Sequence, residues 1–351
     1  MQDLKVAVLG PEFFGYSSAI VSGLNKRNIT SIFFDERQSN SLFYKIIYRF
    51  SPKFVSNFIK EKHFNNIYEN ISKGGFTHVW VLNPENVDSK FLKRIKELRV
   101  YILVYMWDNS ANKKNFPELI KFADSFATFD PKDAKKYNIK LVHLFADDSF
   151  CDKKTNKRTN KIVFLATLHS DRSKKLFLLE ELLSNSNAGL VKLLYYHSRF
   201  FYLLKCILGQ SKIKYLFDLQ TRGFSKSFIA NQYNQCKFVF DSAHNKQSGL
   251  TARTFEALRS GAILITHNQS VALLPKQIQE KIILLDERID LISQLEKCNS
   301  LPFSNDMDYY LSLDRFLDDL LNLSKLVSLK NVKKETLKPL NHKTRTKRRL
   351  E

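Results

Sequence analysis

The chain has 351 residues, enough for two domains of ordinary size, each with its own core. Its 44% hydrophobic content, with 29 Phe and 14 Tyr, excludes a disordered chain, which could not offset the entropy of ordering. A net charge of +21 raises the question of nucleic acid, but the basic residues are spread along a sequence also rich in Asn, Ile and Phe, so most of the charge reads as solvated surface and nucleic acid is not expected as a partner.

In the first half, short apolar runs alternate with helix-period segments. "LKVAVLG" (4–10) reads as a buried strand, 17–27 as a helix whose N-cap is Ser17 or Ser18, and "ITSIFFDE" (29–36) as the next strand. "FTHVWVLN" (76–83), "RVYILVYMWD" (99–108), "SFATFD" (125–130) and "KLVHLF" (140–145) continue the series. Parallel strands need crossovers of about a dozen residues, so this rhythm predicts a Rossmann-like sheet.

Apolar residues vanish at "CDKKTNKRTNK" (151–161), as at a domain boundary, and then the rhythm restarts. Strands are expected at 161–167, 189–197, 236–243, 262–268 and 281–286, and helices near 171–186, 225–235, 251–260 and 287–298. The expected architecture is α/β, two Rossmann-like domains facing across a cleft: residues 1–152, residues 153–325, and a basic tail over 326–351. Ligands of such sheets sit off the carboxyl ends of the strands.

At those ends, "GPEFFGYSS" (10–18) is a glycine-containing turn into a helix, without dinucleotide spacing. Asp108, in "WDNS", is either a cleft carboxylate or a turn cap. "ATLHSDRSKK" (166–175) brings together His169 as a proton carrier, Ser170 and Asp171 as caps or acceptors, and Arg172 as a phosphate fork. In "DSAHNKQSGLTARTFEALRSG" (241–261) a strand ends at Asp241, Thr251 can cap a helix whose Phe255 and Leu258 face the core, and Gly261 closes it. Glu256, three residues after Arg253, is either half of an exposed ion pair or an acceptor for both ribose hydroxyls of a nucleotide.

"DMD" (306–308) has the D-x-D form of a metal site but precedes an amphipathic helix, so it reads as capping and no metal is expected. "LVKLLYYHSRFFYLLKCILGQSKIKYLF" (190–217) interleaves aromatic and basic residues; a strand plus a helix with a buried face is the simpler account, a membrane-contacting surface the other. The run 330–351 carries nine Lys or Arg against two Glu and reads as a mobile tail drawn to an anionic membrane surface. Four dispersed cysteines and the absence of a signal-peptide pattern or a long uncharged apolar run predict a cytoplasmic protein, peripheral on the inner membrane face.

Taken together, "LGPEFFGY", "FDER" (34–37), "YMWD" (105–108), "FDPKDAKKY" (129–137), "LHSDR" and "QSGLTARTFEALRSGAILIT" resemble, in order over about residues 5–290, the CgeB-like branch of GT-B glycosyltransferases of lipopolysaccharide and capsule loci. The block opening at Gln247 is the most specific part, and Gln247 counts among its donor-binding positions. The resemblance implies a nucleoside-diphosphate-sugar donor on the second domain, a glycan or lipid-linked acceptor on the first, and no obligatory metal or other cofactor. It places Glu256 on the donor ribose, Gly249, Leu250, Thr251 and Arg253 on the diphosphate, and the 169–172 loop against the same phosphates. Many of these enzymes carry a second Glu eight positions before the first; Ser248 stands there. An inverting reaction also needs a base, for which Asp108 is the first candidate and Glu12 the second. The alternatives are a nucleotide-sugar epimerase of the same fold and a non-catalytic binding protein for nucleic acid or an envelope structure.

Overall fold

A computed structural model describes residues 4–12, 15–37, 53–151, 158–168, 172–184, 186–241, 248–285, 291–297 and 304–324. Two six-stranded sheets organise them, and every strand pairing within each sheet is parallel.

The first sheet comprises β1 (Lys5–Gly10), β2 (Thr30–Asp35), β3 (His78–Leu82), β4 (Tyr101–Met106), β5 (Ser125–Thr128) and β6 (Lys140–Leu141), in the order β2-β1-β3-β4-β5-β6. Its helices are α1 (Tyr16–Lys26), α2 (Lys53–Lys73), α3 (Ser89–Glu97), α4 (Phe116–Ile120) and α5 (Pro131–Tyr137). β3 is buried at all five positions because parallel sheets are covered on both faces, which is why these strands read as unbroken apolar runs. One face (Ala7, Val79, Val81, Ile102) packs on Phe64 and Ile67 of α2, Leu92 of α3 and Phe116 of α4. The other (Val6, Val8, Trp80, Leu103) packs on Ile20 and Leu24 of α1.

The second sheet comprises β7 (Thr159–Thr167), β8 (Gly189–Tyr195), β9 (Leu219–Gln220), β10 (Cys236–Asp241), β11 (Ile263–Thr266) and β12 (Ile282–Leu284), in the order β12-β11-β10-β7-β8-β9. Around it lie α6 (Arg172–Leu183), α7 (Arg199–Ile207), α8 (Lys226–Gln235), α9 (Ala252–Arg259), α10 (Lys276–Gln279), α11 (Leu291–Lys297) and α12 (Asn305–Leu311).

The last helix, α13 (Leu313–Leu323), departs from the expected boundary at 325. Its Phe316, Leu317, Leu320 and Leu321 pack into the first domain's core beside Val6, Ile20 and Trp80. The chain therefore returns across the cleft, and the second domain closes with α12, whose Met307 and Leu311 belong to its own core. An amphipathic helix next to a domain in sequence can satisfy its apolar face on either core, so periodicity alone could not place it. The expected tail, 326–351, lies outside the described residues.

Two local expectations also change. α1 is entered through Gly15 in the left-handed region (φ 73°) with no side-chain cap; Ser17 Oγ donates to the Pro11 carbonyl and Ser18 Oγ to Glu12 instead. β6 is two residues long rather than six, because beyond it the chain leaves the sheet and Arg315 collects the carbonyls of His143 and Leu144.

That interdomain stretch contains a pH-sensitive group. The His143 ring packs beside Phe255, its Nδ1 is buried without a partner, and burial, aided by Arg315, lowers its pKa from 6.5 to about 4. The folded state thus holds the neutral ring, a stabilisation fully present above pH 6.5 and lost as pH falls towards 4. The slope is at most about 1.4 kcal/mol per pH unit. Urea unfolding across that range is expected to show a flatter acid limb for His143→Phe than for wild type; parallel limbs would contradict this.

Candidate functional site

In both sheets the chain reverses its direction of winding. From β1 it goes outward to β2 and returns to β3 on the other side; from β7 it winds through β8 and β9 and returns to β10. The crevices outside the carboxyl ends of β1/β3 and β7/β10 are therefore where ligands of such sheets bind. Gly10 makes the first crevice possible: a Cβ there would stand 2.3 Å from the Leu82 carbonyl oxygen of β3. Off the second crevice lie Leu168 and Arg172 of one loop singled out in the sequence and residues 248–251 of the other. His169, Ser170, Asp171 and Gln247 lie outside the described residues. Arg172 opens α6 and donates to the Thr167 carbonyl at 3.3 Å.

Asp241, the buried last residue of β10, organises the start of α9. It accepts hydrogen bonds from Thr251 Oγ1 and Thr254 Oγ1, both at 2.8 Å, and from Arg253 at 3.2 Å. Thr251 thus holds the N-cap position expected of it, but its hydroxyl turns to Asp241 instead of a helix amide. Arg253 is likewise paired with Asp241, not with Glu256, and its Nε is buried without a partner. Phe255 and Leu258 are fully buried, and Gly261 ends the helix at φ 78°, as the sequence indicates.

Glu256 projects from α9 to the opposite domain. Its Oε1 accepts a 2.9 Å hydrogen bond from the Tyr16 hydroxyl at the start of α1, while Oε2 has no hydrogen-bond partner among the described residues. Lys226, at the start of α8, lies over the Tyr16 ring and pairs with Asp147 at 3.0 Å. Burial raises the Glu256 carboxyl above the usual range, opposed by the Tyr16 hydrogen bond and by Arg253 and Lys226. Burial and then Glu256 hold the Tyr16 phenol protonated well above its ordinary value, so it remains a donor.

A second contact closes the cleft a few residues away. Asp130, N-cap of α5, is buried and accepts from the amides of Ser248 and Gly249, both at 3.1 Å, and from the Ser248 hydroxyl, besides capping Lys132 and Asp133. Phe129 lies so close that a Cβ on Gly249 would stand 2.5 Å from its ring. The Gly249 amide is therefore occupied by Asp130 rather than open to a diphosphate, and Asn268 holds its carbonyl at 3.0 Å. Ser248 works as a ligand of Asp130 across the cleft. Leu250 turns its side chain into the second core.

The two base candidates differ in setting. Glu12 lies directly after β1, at the first crevice; its Oε2 accepts from Ser18 at 3.2 Å and its Oε1 is buried without a partner. Asp108 lies after β4, one strand away from the crevice, part-exposed and 3.9 Å from Lys113. Asp308 of the "DMD" segment, in the first turn of α12, grips Arg259 with both oxygens. Glu36 of "FDER" is buried and accepts from the amides of Glu85, Asn86 and Val87, which makes it a loop anchor. Tyr16 and Asp130 are the site residues that sequence reading missed. "FDPKD" signals a helix cap, which Asp130 is, but nothing in it announces a partner 118 positions away; Tyr16 carries no signal at all.

Two parallel α/β domains that meet through residues at the carboxyl ends of their strands, with a final helix crossing back to the first, constitute a GT-B architecture. No protein-family model matches the chain, and no curated protein does. Among solved structures it is similar to a glycosyltransferase from Rickettsia africae (TM-score 0.59, 14% identity, 94% of this chain and 100% of that one). It is also similar to HepE from Anabaena in complex with UDP and glucose (0.53, 10%, 95% and 99%) and to the lipopolysaccharide outer core galactosyltransferase WaaB (0.55, 11%, 93% and 100%). At these identities the likeness is one of fold.

Proposed function

We propose that the chain is a glycosyltransferase that takes a sugar from a nucleoside-diphosphate donor on its second domain and passes it to a glycan or lipid-linked acceptor on its first. The observation that carries this reading is Glu256: a carboxylate on the helix leaving the β7/β10 crevice, with one oxygen unpartnered among the described residues and the Arg253 guanidinium one turn before it. A ribose binds through its two hydroxyls, which a carboxylate accepts, and a diphosphate through a guanidinium and helix-start amides. Arg253 and the amides of Leu250 and Thr251 take the diphosphate, and the 169–172 loop and Gln247 are assigned to the same donor. HepE with bound UDP supports uridine as the first base to try, and WaaB supports a lipopolysaccharide-type acceptor.

In the transfer, the bond from the anomeric carbon to the diphosphate oxygen breaks, the acceptor oxygen bonds to that carbon, and the acceptor proton leaves to a base. Glu12 is the better placed base, because it lies at the first crevice with an unpaired oxygen, whereas Asp108 is one strand removed and faces Lys113. The leaving diphosphate is stabilised by Arg253 and by fixed amides in a closed cleft, so activity is expected to survive a chelator.

The same fold occurs in a putative UDP-N-acetylglucosamine 2-epimerase from Listeria monocytogenes (TM-score 0.53, 10% identity, 93% of this chain and 97% of that one). Incubation with UDP-sugars separates the two chemistries. A transferase releases UDP in step with glycosylation of an added acceptor; conversion of the donor sugar with no acceptor present would overturn the transferase reading.

A further inference from the structure

The connection from β8 to β9 displays apolar side chains instead of burying them. On α7 Tyr202 is buried, while Phe200, Phe201, Leu204, Ile207 and the following Leu208 are exposed, Ile207 by 72%, Leu208 by 69% and Phe200 by 65%. At about 100° per residue these five occupy roughly a third of the helix circumference, so they form one continuous stripe. Past the helix, Ile213 and Phe217 are exposed too, Phe217 by 85%. The simpler sequence reading, a helix burying its apolar face, is not what the chain does here.

The stripe stands on a firmly held element. Ser198 caps the start of α7; Gly209, at φ 69°, closes its end with amide bonds from Gly209 to Cys206 and from Gln210 to Lys205. Arg199 ties it to the Leu219 carbonyl, and the Tyr202 hydroxyl ties it to that of Lys212. Between residues 199 and 222 stand five Lys or Arg and one Asp, with Lys214 paired to Glu180. An apolar stripe ringed by cations matches the boundary between anionic headgroups and acyl chains. A second copy of the same surface would instead bring like charges against one another.

We propose that α7 and the 213–217 turn dock the protein onto an anionic phospholipid bilayer. α7 starts at the carboxyl end of β8, the edge of the sheet from which α9 also departs, so docking holds the mouth of the cleft near the headgroups. The docking surface stands independently of the transferase reading.

Co-sedimentation of the full chain with vesicles is the test. Binding to phosphatidylglycerol/phosphatidylcholine vesicles is expected to exceed binding to phosphatidylcholine alone and to persist in part at high salt. The triple variant Phe200→Ser, Ile207→Ser, Leu208→Ser is expected to bind at least about tenfold more weakly, with an unchanged Tm because all three side chains are exposed. Independently, Phe217→Trp is expected to be quenched by brominated acyl chains beyond the wild-type background. The proposal is overturned if the triple variant binds like wild type, as it would were the 330–351 basic run alone responsible. It is equally overturned if light scattering shows a dimer that the triple variant dissolves while neither form binds vesicles.

Discussion

Arg259→Ala is expected to destabilise the protein by roughly 3 kcal/mol, at the lower end of the range for breaking a buried charge pair. The guanidinium, 5% exposed, joins three parts of the chain. Nε and NH2 bond the two oxygens of Asp308 on α12 at 2.9 and 3.3 Å, and NH1 bonds the Ala146 carbonyl and Asp148, both at 2.9 Å. Removing it leaves a buried carbonyl without a donor where the chain crosses between domains, while both aspartates can recover some hydration. Arg259→Lys is expected to rescue little, since an ammonium cannot reproduce the fork. Asp148→Ala is expected to be nearly silent, because Asp148 is 78% exposed. Chemical denaturation of the three variants checks the order; equal losses for Arg259→Ala and Asp148→Ala would contradict it.

The second large effect is expected at Asp130. Its two oxygens receive four backbone amides and the Ser248 hydroxyl. Asp130→Ala strands buried donors in both domains at once and is expected to cost roughly 2–4 kcal/mol. Amide exchange should accelerate at Ser248 and Gly249 well beyond the change at Lys132 and Asp133, because the helix start can be rehydrated while the 248–249 loop loses its hold on the other domain. Asp130→Asn keeps an acceptor for the α5 cap but turns an NH2 group towards the Ser248 and Gly249 amides, so its exchange defect should concentrate on the interdomain side. Equal acceleration on both sides would reduce Asp130 to an ordinary cap.

The strands were legible because a parallel sheet covered on both faces demands continuous apolar runs: β1, β3, β4, β8, β10 and β11 all lie inside the segments that the sequence marks, and β7 begins two residues before its own. Helix α9 was legible down to its Gly261 terminus. What escaped depends on contacts between distant positions. α13 has the periodicity of any amphipathic helix, and the core that accepts it is decided by geometry. The resemblance puts the Gly249 amide on a diphosphate, yet across the cleft Phe129 and Asp130 have already occupied that side of it. Glu256 and Arg253 look like an i, i+3 pair; a buried Asp241 takes the arginine, and Tyr16 of the other domain takes the glutamate.

Tyr16, as the hydrogen-bond partner of Glu256, allows a clean test of what that carboxylate does. Calorimetric titration with UDP is expected to show binding to wild type that Glu256→Ala weakens about ten- to a hundredfold, the loss of hydrogen bonds to a charged acceptor. Tyr16→Phe removes the same carboxylate's interdomain hydrogen bond while leaving both oxygens for the ribose, so its UDP affinity should be at least that of wild type. Equal UDP affinity in Glu256→Ala and wild type, or an equal loss in Tyr16→Phe and Glu256→Ala, would show that the carboxylate holds the domains together and not the nucleotide.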